Sequence, residues 1–517
     1  MTRIIRENSA LERMIIGILL VLAIASVVLS AFAIMKYPLV YTDEASYTEP
    51  GWTWLKHGHF GSLMYEGWVG LGKSVVVFGK VHMGLCAMGF ALLGTTPAAP
   101  RLISFIAALA ILGFSFLIGR RLFNAKISFA GILLMASSQL FWRYRDARPD
   151  TLVVMFIVAS IWLFLKSLDT KSRTLIFISG YIAALAADAH MNGIAAPFLL
   201  VLLTLMRYSS NDLEKKMIAP LCAGFALGGI QWLILHIFLD PQLFFMQWNE
   251  YWGLMKQAPI YSPLAMIPFE ITRYLNFVVS SGYYRYAVYL IIAAITVIWG
   301  MRERSSGTRT LLWCYGGIFT FLTLAVANKT ISYLVTYIPF FYMLLAAMIL
   351  RLAGSQKKLL NAASVVILIS IIGVHATDSF LKVWQYKDSS LRQYTQRLRT
   401  HIPADTAVMG SPTLWFGFSD RTYYSTDLMD FYLQLAAPKH KTALGGSHFL
   451  DMFRHKNIRY LIINDSYKQN IDMYKSMPEA REFFESHTKV IATVNDRFYG
   501  PSSSRGNLHT EIRQVIY

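Results

Sequence analysis

Residues 37–61, YPLVYTDEASYTEPGWTWLKHGHFG, set two carboxylates side by side, Asp43 and Glu44, directly after a long apolar run. A carboxylate at a membrane edge is costly unless it is paired, solvated or used. Used, it accepts a proton from a hydroxyl or amine; otherwise it can cap the N-terminus of a following helix. A second acidic pair, Asp146 and Asp150, lies in FWRYRDARPDTLVV (141–154), interleaved with Arg143, Arg145 and Arg148. Arginine presents a planar fork suited to carboxylate or phosphate, so these three either pair with the local aspartates or meet an anionic ligand. Asp150 also stands where it can cap the next helix. Lys80, and Lys329 in AVANKTISYLVTYIPF (325–340) with Tyr333 beside it, are lone cations near apolar segments. Each either snorkels to water or contacts a phosphate. Carboxylates that take a proton and cations that neutralise a leaving phosphate together suit group transfer from a membrane-embedded lipid phosphate. The donor's phosphate ester would carry the energy, so no nucleotide site is required.

The elements that must position these residues follow from composition. Of 517 residues, 55% are hydrophobic and 15% charged, where a soluble protein of this size carries nearer a quarter. Apolar runs of about twenty residues recur from 14 to 377, the signature of a polytopic helical membrane protein. From about 378 the chain turns polar. The net charge of +18 does not imply nucleic acid: the basic residues sit in short loops between apolar runs, as in cytoplasmic loops, with no basic stripe interleaved with aromatics. Cys86, Cys222 and Cys314 stand singly in apolar segments and form neither a metal cluster nor a disulfide framework. Arg3, Arg6 and Arg13 before the first apolar run, without a small-residue cleavage site, read as a retained signal anchor.

With the N-terminus cytoplasmic, the basic clusters at 120–126, 166–173, 207–216, 302–309 and 351–358 mark the inner side. Spans are then expected near 14–35, 101–119, 127–143, 150–165, 174–189, 194–206, 217–239, 284–300, 310–327, 332–350 and 359–377, about eleven in all. The odd number places residues 378–517 outside, as a soluble α/β domain following a membrane domain at 1–377. Residues 74–94 are apolar but carry Lys80 and His82, and a crossing there would turn every later basic cluster outward. They are expected as an interfacial or re-entrant helix, within one external loop from Lys36 to about Pro100. GWVGLGKS (67–74) matches the phosphate-loop pattern G-x-x-x-x-G-K-[ST], but it falls outside the cytoplasm and lacks a preceding buried strand.

Three further segments bear on the site. AADAHMNGIAAP (186–197) is an external polar turn with Asp188, His190 and Asn192, and His190 is a site candidate. Residues 240–283 form a long aromatic- and methionine-rich external loop, read as a lid with Glu250 as a candidate. In the tail, 406–410, 458–465 and 489–494 read as strands and 448–456 as a helix; Asp420, Asp427 and Asp430 read as scattered, solvated residues.

The chain resembles the polytopic GT-C fold glycosyltransferases, in the branch of dolichyl-phosphate-mannose protein mannosyltransferases and aminoarabinose transferases. The resemblance runs from about 14 to 350. YTDEASY resembles the family's acidic motif in the first external loop, APRLISFIAALAILGFSFLIGRRLF its second span and Arg-Arg turn, RDARPDTLVV its second acidic motif, and KTISYLVTYIPFF a late Lys-Tyr-Pro feature. GKVHMGLCAMGFALLG stands in place of an interfacial KPPL-x-YW helix and lacks the paired prolines and the YW. The resemblance implies a polyprenyl- or dolichyl-phosphate-linked monosaccharide donor used outside the cytoplasm, and transfer with inversion. It implies Asp43 as base, Glu44 assisting it, Asp150 and Asp146 shaping the sugar or acceptor site, and Arg148, Lys80 and Lys329, with Tyr333, on the phosphate. His82 could share the role of Lys80. Some relatives hold a divalent metal at such motifs; Mg²⁺ or Mn²⁺ could be accommodated at Asp43 and Asp150, though no spacing demands one. The acceptor (protein, lipid or envelope glycan) is not specified. The alternative from another class is a transporter or flippase of lipid-linked sugars, which would carry broken helices and ionisable residues at mid-membrane; an oligosaccharide ligase or lipid-phosphate transferase is a second enzymatic reading.

Overall fold

In the computed structural model, the structure describes residues 10–210, 213–256, 268, 270, 272, 284–303, 305–326, 331–354, 358–434, 438–446, 448–464, 477–499 and 508–517. Each of the expected apolar segments is helical. The helices are α1 (Ala10–Phe32), α4 (Ala98–Leu122), α5 (Ala125–Ser137) with the short α6 (Gln139–Arg143), α7 (Asp150–Thr170), α8 (Arg173–Ala189), α9 (Ala195–Ser209), α10 (Ile218–Leu233, running on as a π turn to Phe238), α12 (Tyr284–Arg302), α13 (Ser306–Ala325), α14 (Ile338–Ala353) and α15 (Lys358–Gln385). Among the described residues, five helical segments are long and apolar enough to cross a bilayer: Ala98–Leu122, Asp150–Thr170, Met191–Ser209, Lys215–Phe238 and Leu359–Gln385. The remaining helices at the expected spans are shorter or less apolar by that measure. Their inner faces build one core, including Leu134, Ile157, Phe164, Leu199, Ile318 and Leu345. Exposed positions such as Ile106, Val201, Ile230 and Val366 are apolar as well. Apolar faces on both sides of a helix suit a lipid surround.

Two helices precede α4 in the first loop. α2 covers Thr42–His57, and α3 covers Lys80–Leu93, inside the segment expected as an interfacial helix. They approach closely because Gly51 faces the α3 backbone: a Cβ there would lie 2.3 Å from the Met83 carbonyl oxygen. α11 (Pro241–Lys256) occupies the described part of the expected lid; 257–283 lie almost wholly outside the described residues.

The tail folds around a five-stranded sheet of β1 (Ala407–Gly410), β2 (Tyr423–Ser425), β3 (Ile458–Asn464), β4 (Thr488–Asp496) and β5 (Leu508–Val515), in the order β2-β1-β3-β5-β4. β1 runs parallel to β2 and β3, and β5 is antiparallel to β3 and β4. Helices α16 (Leu391–Arg399), α17 (Asp427–Gln434), α18 (Phe449–His455) and α19 (Pro478–Ser486) cover it. The strands near 406–410, 458–465 and 489–494 and the helix at 448–456 are where the sequence places them; β2 and β5 are additional. The tail's core is continuous with the first loop: Val40, Ala45, Met64, Tyr65, Val75 and Met83 pack in one cluster with Tyr394, Trp415, Leu428, Phe453 and Ile462. The C-terminal domain is therefore built onto α2, α3 and the segment between them.

Candidate active site

The site lies where several helix ends meet: the start of α2, the start of α4, the start of α7 and the end of α8. The basic residues Arg120, Arg121, Lys171, Arg207 and Arg351 fall at the opposite ends of their helices.

Asp43 and Glu44 both sit in the first turn of α2. Successive helix residues project about 100° apart, so the two carboxylates serve different faces. Glu44 is fully buried. It takes a bidentate pair from Arg101, Nε to Oε2 at 2.7 Å and Nη2 to Oε1 at 2.6 Å, and accepts from the amides of Ala147 at 3.0 Å and Tyr41 at 3.3 Å. Arg101 also donates to the Ile34 carbonyl. Asp146 is buried next to this pair and accepts from Arg143 Nη1 at 3.2 Å. Burial pushes its carboxyl up, partly offset by Arg143, with Glu44 adding to the rise. Arg145 donates to the carbonyls of Ser30 and Tyr37 and lies over the Trp142 ring. These groups lock the first loop to the 144–149 turn.

Asp43 belongs to the other face and is 42% exposed. Arg148 donates to it through Nη1, and to Asp150 Oδ2 through Nε at 2.7 Å. Nη1 also reaches the Tyr41 hydroxyl at 2.6 Å. The guanidinium stands near the faces of Tyr47 and Tyr41. Asp150 is buried in the first turn of α7, where the helix dipole favours its charge. Burial pushes the Asp43 carboxyl above the usual range; Arg148 pulls it back, and Asp150 raises it again. Arg143 and Arg148 thus pair with carboxylates of the site and Arg145 with backbone carbonyls, while Asp43 keeps access to solvent.

Around this pair are aromatic and imidazole groups. Tyr47 meets His190 edge-on, with ring centroids 6.2 Å apart, and packs on Phe78. Tyr333 is close enough to Tyr47 to influence it. His82 is buried on α3, with Nε2 3.5 Å from Cys86 Sγ, and Nδ1 has no partner among the described residues. Burial pushes His82 down to about 3 and lowers His190 as well. Burial disfavours the charged form of both rings, which suits them to hydrogen bonding.

Lys80 begins α3 and donates to the Leu235 carbonyl at 2.5 Å. It borders a cavity of about 480 Å³ lined by His59, Lys73, Ser74, Val76, Leu239, Asp240 and Leu243. Asp188 fixes the start of α3: Oδ2 accepts from the Val81 amide at 3.2 Å, and Oδ1 meets His236 Nε2 at 2.5 Å. His236 Nδ1 lies 2.6 Å from the Val76 carbonyl. GWVGLGKS is a turn-rich loop with no strand before it, and the next helix starts only at Lys80. Its Lys73 pairs with Asp240 at 2.7 Å, so the phosphate-loop pattern has no phosphate-loop geometry. Glu250 lies on α11, which packs onto the 69–76 segment through Gln247. Lys329 lies outside the described residues.

Sequence reading missed Arg101, Tyr41, Tyr47 and Tyr65, and took Asp427 for a solvated residue, whereas its carboxylate accepts from the Tyr65 hydroxyl at 2.8 Å. Arg101 carried a usable signal, a charge at the mouth of a long apolar run. The tyrosines carried none, because aromatics are routine at membrane interfaces.

The chain matches the family model described as dolichyl-phosphate-mannose-protein mannosyltransferase over residues 81–234. No curated protein matches it by sequence. Among solved structures it resembles ArnT from Cupriavidus metallidurans bound to undecaprenyl phosphate, with TM-score 0.58 at 13% identity, covering 96% of this chain and 98% of that one. It also resembles the Archaeoglobus fulgidus oligosaccharyltransferase in complex with zinc and sulfate, with TM-score 0.57 at 14% identity, covering 91% of this chain and 71% of that one. The same organism's oligosaccharyltransferase AglB, with an inhibitory peptide and a dolichol-phosphate, gives TM-score 0.55 at 12% identity, covering 91% and 72%. The chain is an integral membrane protein with the GT-C fold. The family match and the fold together support a glycosyltransferase that uses a lipid-linked sugar.

Proposed function

We propose that this protein transfers a monosaccharide from a polyprenyl- or dolichyl-phosphate carrier to an extracytoplasmic acceptor, with inversion and with Asp43 as the base. The observation that carries the reading is the half-exposed Asp43 carboxylate held by Arg148, which Asp150 anchors from the other side. The lipid phosphates in the ArnT and AglB structures support this class of donor. Asp43 takes the proton of the acceptor hydroxyl or amine. The freed lone pair attacks the anomeric carbon as its bond to the phosphate oxygen breaks. The bonding electrons leave with that oxygen, giving the glycoside and the free lipid phosphate. Lys80, which lines the cavity, and Lys329 neutralise the leaving phosphate. Arg148 contributes to the same field, and the Tyr333 phenol supplies a hydrogen bond. Asp150 orients Arg148, Glu44 and Asp146 hold the turn that carries it, and His82 and His190 line the sugar side. Glu250 sits on the lid helix. In this reading Arg148 takes the place between Asp43 and Asp150 that a Mg²⁺ or Mn²⁺ ion would need.

The proposed orientation is an N-terminus in the cytoplasm and the C-terminal domain outside the cell (inner) membrane. It rests on the basic residues at the helix ends remote from the site. The test is turnover by purified protein in nanodiscs with a labelled polyprenyl-phosphate sugar. Release of polyprenyl phosphate coupled to glycosidic bond formation supports the reading. Movement of labelled lipid without bond formation favours a transporter instead.

A further inference from the structure

Besides the packing of Trp415 on Trp52 of α2, a short chain of hydrogen bonds links the C-terminal domain to the first turns of the helix that carries Asp43. Asp427 opens α17 in that domain. Its Oδ2 accepts from the Tyr65 hydroxyl at 2.8 Å. Tyr65 lies in the loop between α2 and α3, and its hydroxyl is 2.9 Å from Ser46 Oγ. Ser46 is on α2, one turn beyond Asp43, and its hydroxyl also lies 3.2 Å from the Thr42 carbonyl. A carboxylate only accepts, so the Tyr65 proton goes to Asp427, and the single Ser46 proton is shared between the phenol oxygen and the Thr42 carbonyl. The surroundings fix each partner. Phe431, on the same helix as Asp427, stacks on Trp68 with centroids 3.7 Å apart and meets the Tyr65 ring. The Asp427 amide donates to Ser425 Oγ at 3.0 Å. Lys456 donates to the Glu66 carbonyl at 2.7 Å, clasping the same loop from the other side. Burial raises the Asp427 carboxyl, its contacts with Tyr65 and Ser425 pull it back, and the Asp43 charge raises it.

We propose that Asp427 is a positioning residue for the reaction: it holds Tyr65 against Ser46 and so fixes the first turns of α2 that carry Asp43. This rests on the transferase reading for its catalytic consequence, but its structural content stands apart from it. The C-terminal domain is then a working part of the active site rather than a tethered module, and movement of that domain reaches Asp43 through two hydrogen bonds.

The test uses the full-length protein in nanodiscs with two readouts. Asp427→Ala removes the acceptor, whereas Asp427→Asn keeps an oxygen that can accept from Tyr65. In hydrogen exchange, Asp427→Ala is expected to speed exchange of the 42–48 amides about tenfold, with Asp427→Asn close to wild type. In turnover with a polyprenyl-phosphate sugar, Asp427→Ala is expected to lower kcat about tenfold at unchanged donor KM. Asp427→Asn should recover most of that loss, and Tyr65→Phe should give no further loss when combined with Asp427→Ala. Unchanged exchange at 42–48 in Asp427→Ala overturns the inference whether or not the protein turns over. So does an equal defect in Asp427→Ala and Asp427→Asn. A wild-type protein inactive on the sugar lipid, with exchange changed as expected, instead removes the transferase reading and leaves the coupling standing.

Discussion

Asp43 and Asp150, which come from different loops, share one guanidinium: Arg148 donates to Asp43 from Nη1 and to Asp150 from Nε. The planar fork holds the two donors at fixed, separate positions, which a lysine's point charge does not. Arg148→Lys keeps the charge but loses the bridge. Turnover is expected to fall about 100-fold, measured as kcat on a polyprenyl-phosphate sugar. Activity within twofold of wild type contradicts the bridging role.

The raised Asp43 carboxyl sets a pH dependence. Its neighbours are Arg148, Asp150, Tyr41 and Glu44, with burial the largest influence. A base must be ionised, so kcat/KM rises with pH through the Asp43 pKa and then levels. Asp150→Asn removes a negative neighbour and leaves Arg148 to Asp43, so both effects lower that pKa. The acid limb of the kcat/KM profile is expected to move to lower pH; a shift to higher pH contradicts the assignment.

The Glu44–Arg101 pair is buried on both sides, at 0% and 1% side-chain exposure. Removing one partner strands the other charge, which costs about 3–5 kcal/mol. Glu44→Gln is therefore expected to lower Tm in detergent sharply. The double variant Glu44→Gln, Arg101→Met should be more stable than Glu44→Gln alone. Additive losses in the cycle count against the pairing.

Glu49 is fully buried and its carboxyl is pushed up to about 7 by burial. It accepts from Ser62 Oγ, the Leu63 amide and Thr53 Oγ1, and no ion pair compensates it among the described residues. Because its folded pKa lies above the unfolded value near 4.5, the folded state binds the extra proton between those values. Stability is then full below about pH 4.5 and falls as pH rises to about 7. Glu49→Gln mimics the protonated form and is expected to stabilise the protein at pH 8 by roughly 3 kcal/mol. Thermal unfolding at pH 5 and pH 8 reads this; an equal effect at both pH values contradicts it.

Gly79 governs where Lys80 stands. A Cβ on Gly79 would lie 1.7 Å from the Asp188 carbonyl oxygen and 2.2 Å from that of Ala189. Gly79→Ala must push the start of α3 away from α8, breaking the Val81–Asp188 contact. Donor KM is expected to rise about tenfold, while Gly84→Ala, which faces open space, leaves it unchanged.

Much of this was legible in residue order alone. Hydropathy located the helices because twenty apolar residues in lipid have few alternatives. The parity of basic clusters kept 74–94 from being read as a span, and α3 forms there as a short helix. Asp43, Arg148 and Asp150 were visible as charges where charge is expensive. The division of labour between Asp43 and Glu44 was not, since it depends on which face of α2 meets Arg101. Nor was Asp427 legible: from sequence it is one of several scattered tail acids, and only the shared core of the tail and the first loop brings it to Tyr65.

The most direct test of the account is Asp43→Asn in nanodiscs with a labelled polyprenyl-phosphate sugar at saturating concentration. Asn keeps the shape and cannot take the proton, so the sugar lipid should bind with near wild-type affinity while release of polyprenyl phosphate falls about 100-fold or more. Release at the wild-type rate contradicts the assignment of Asp43 as the base.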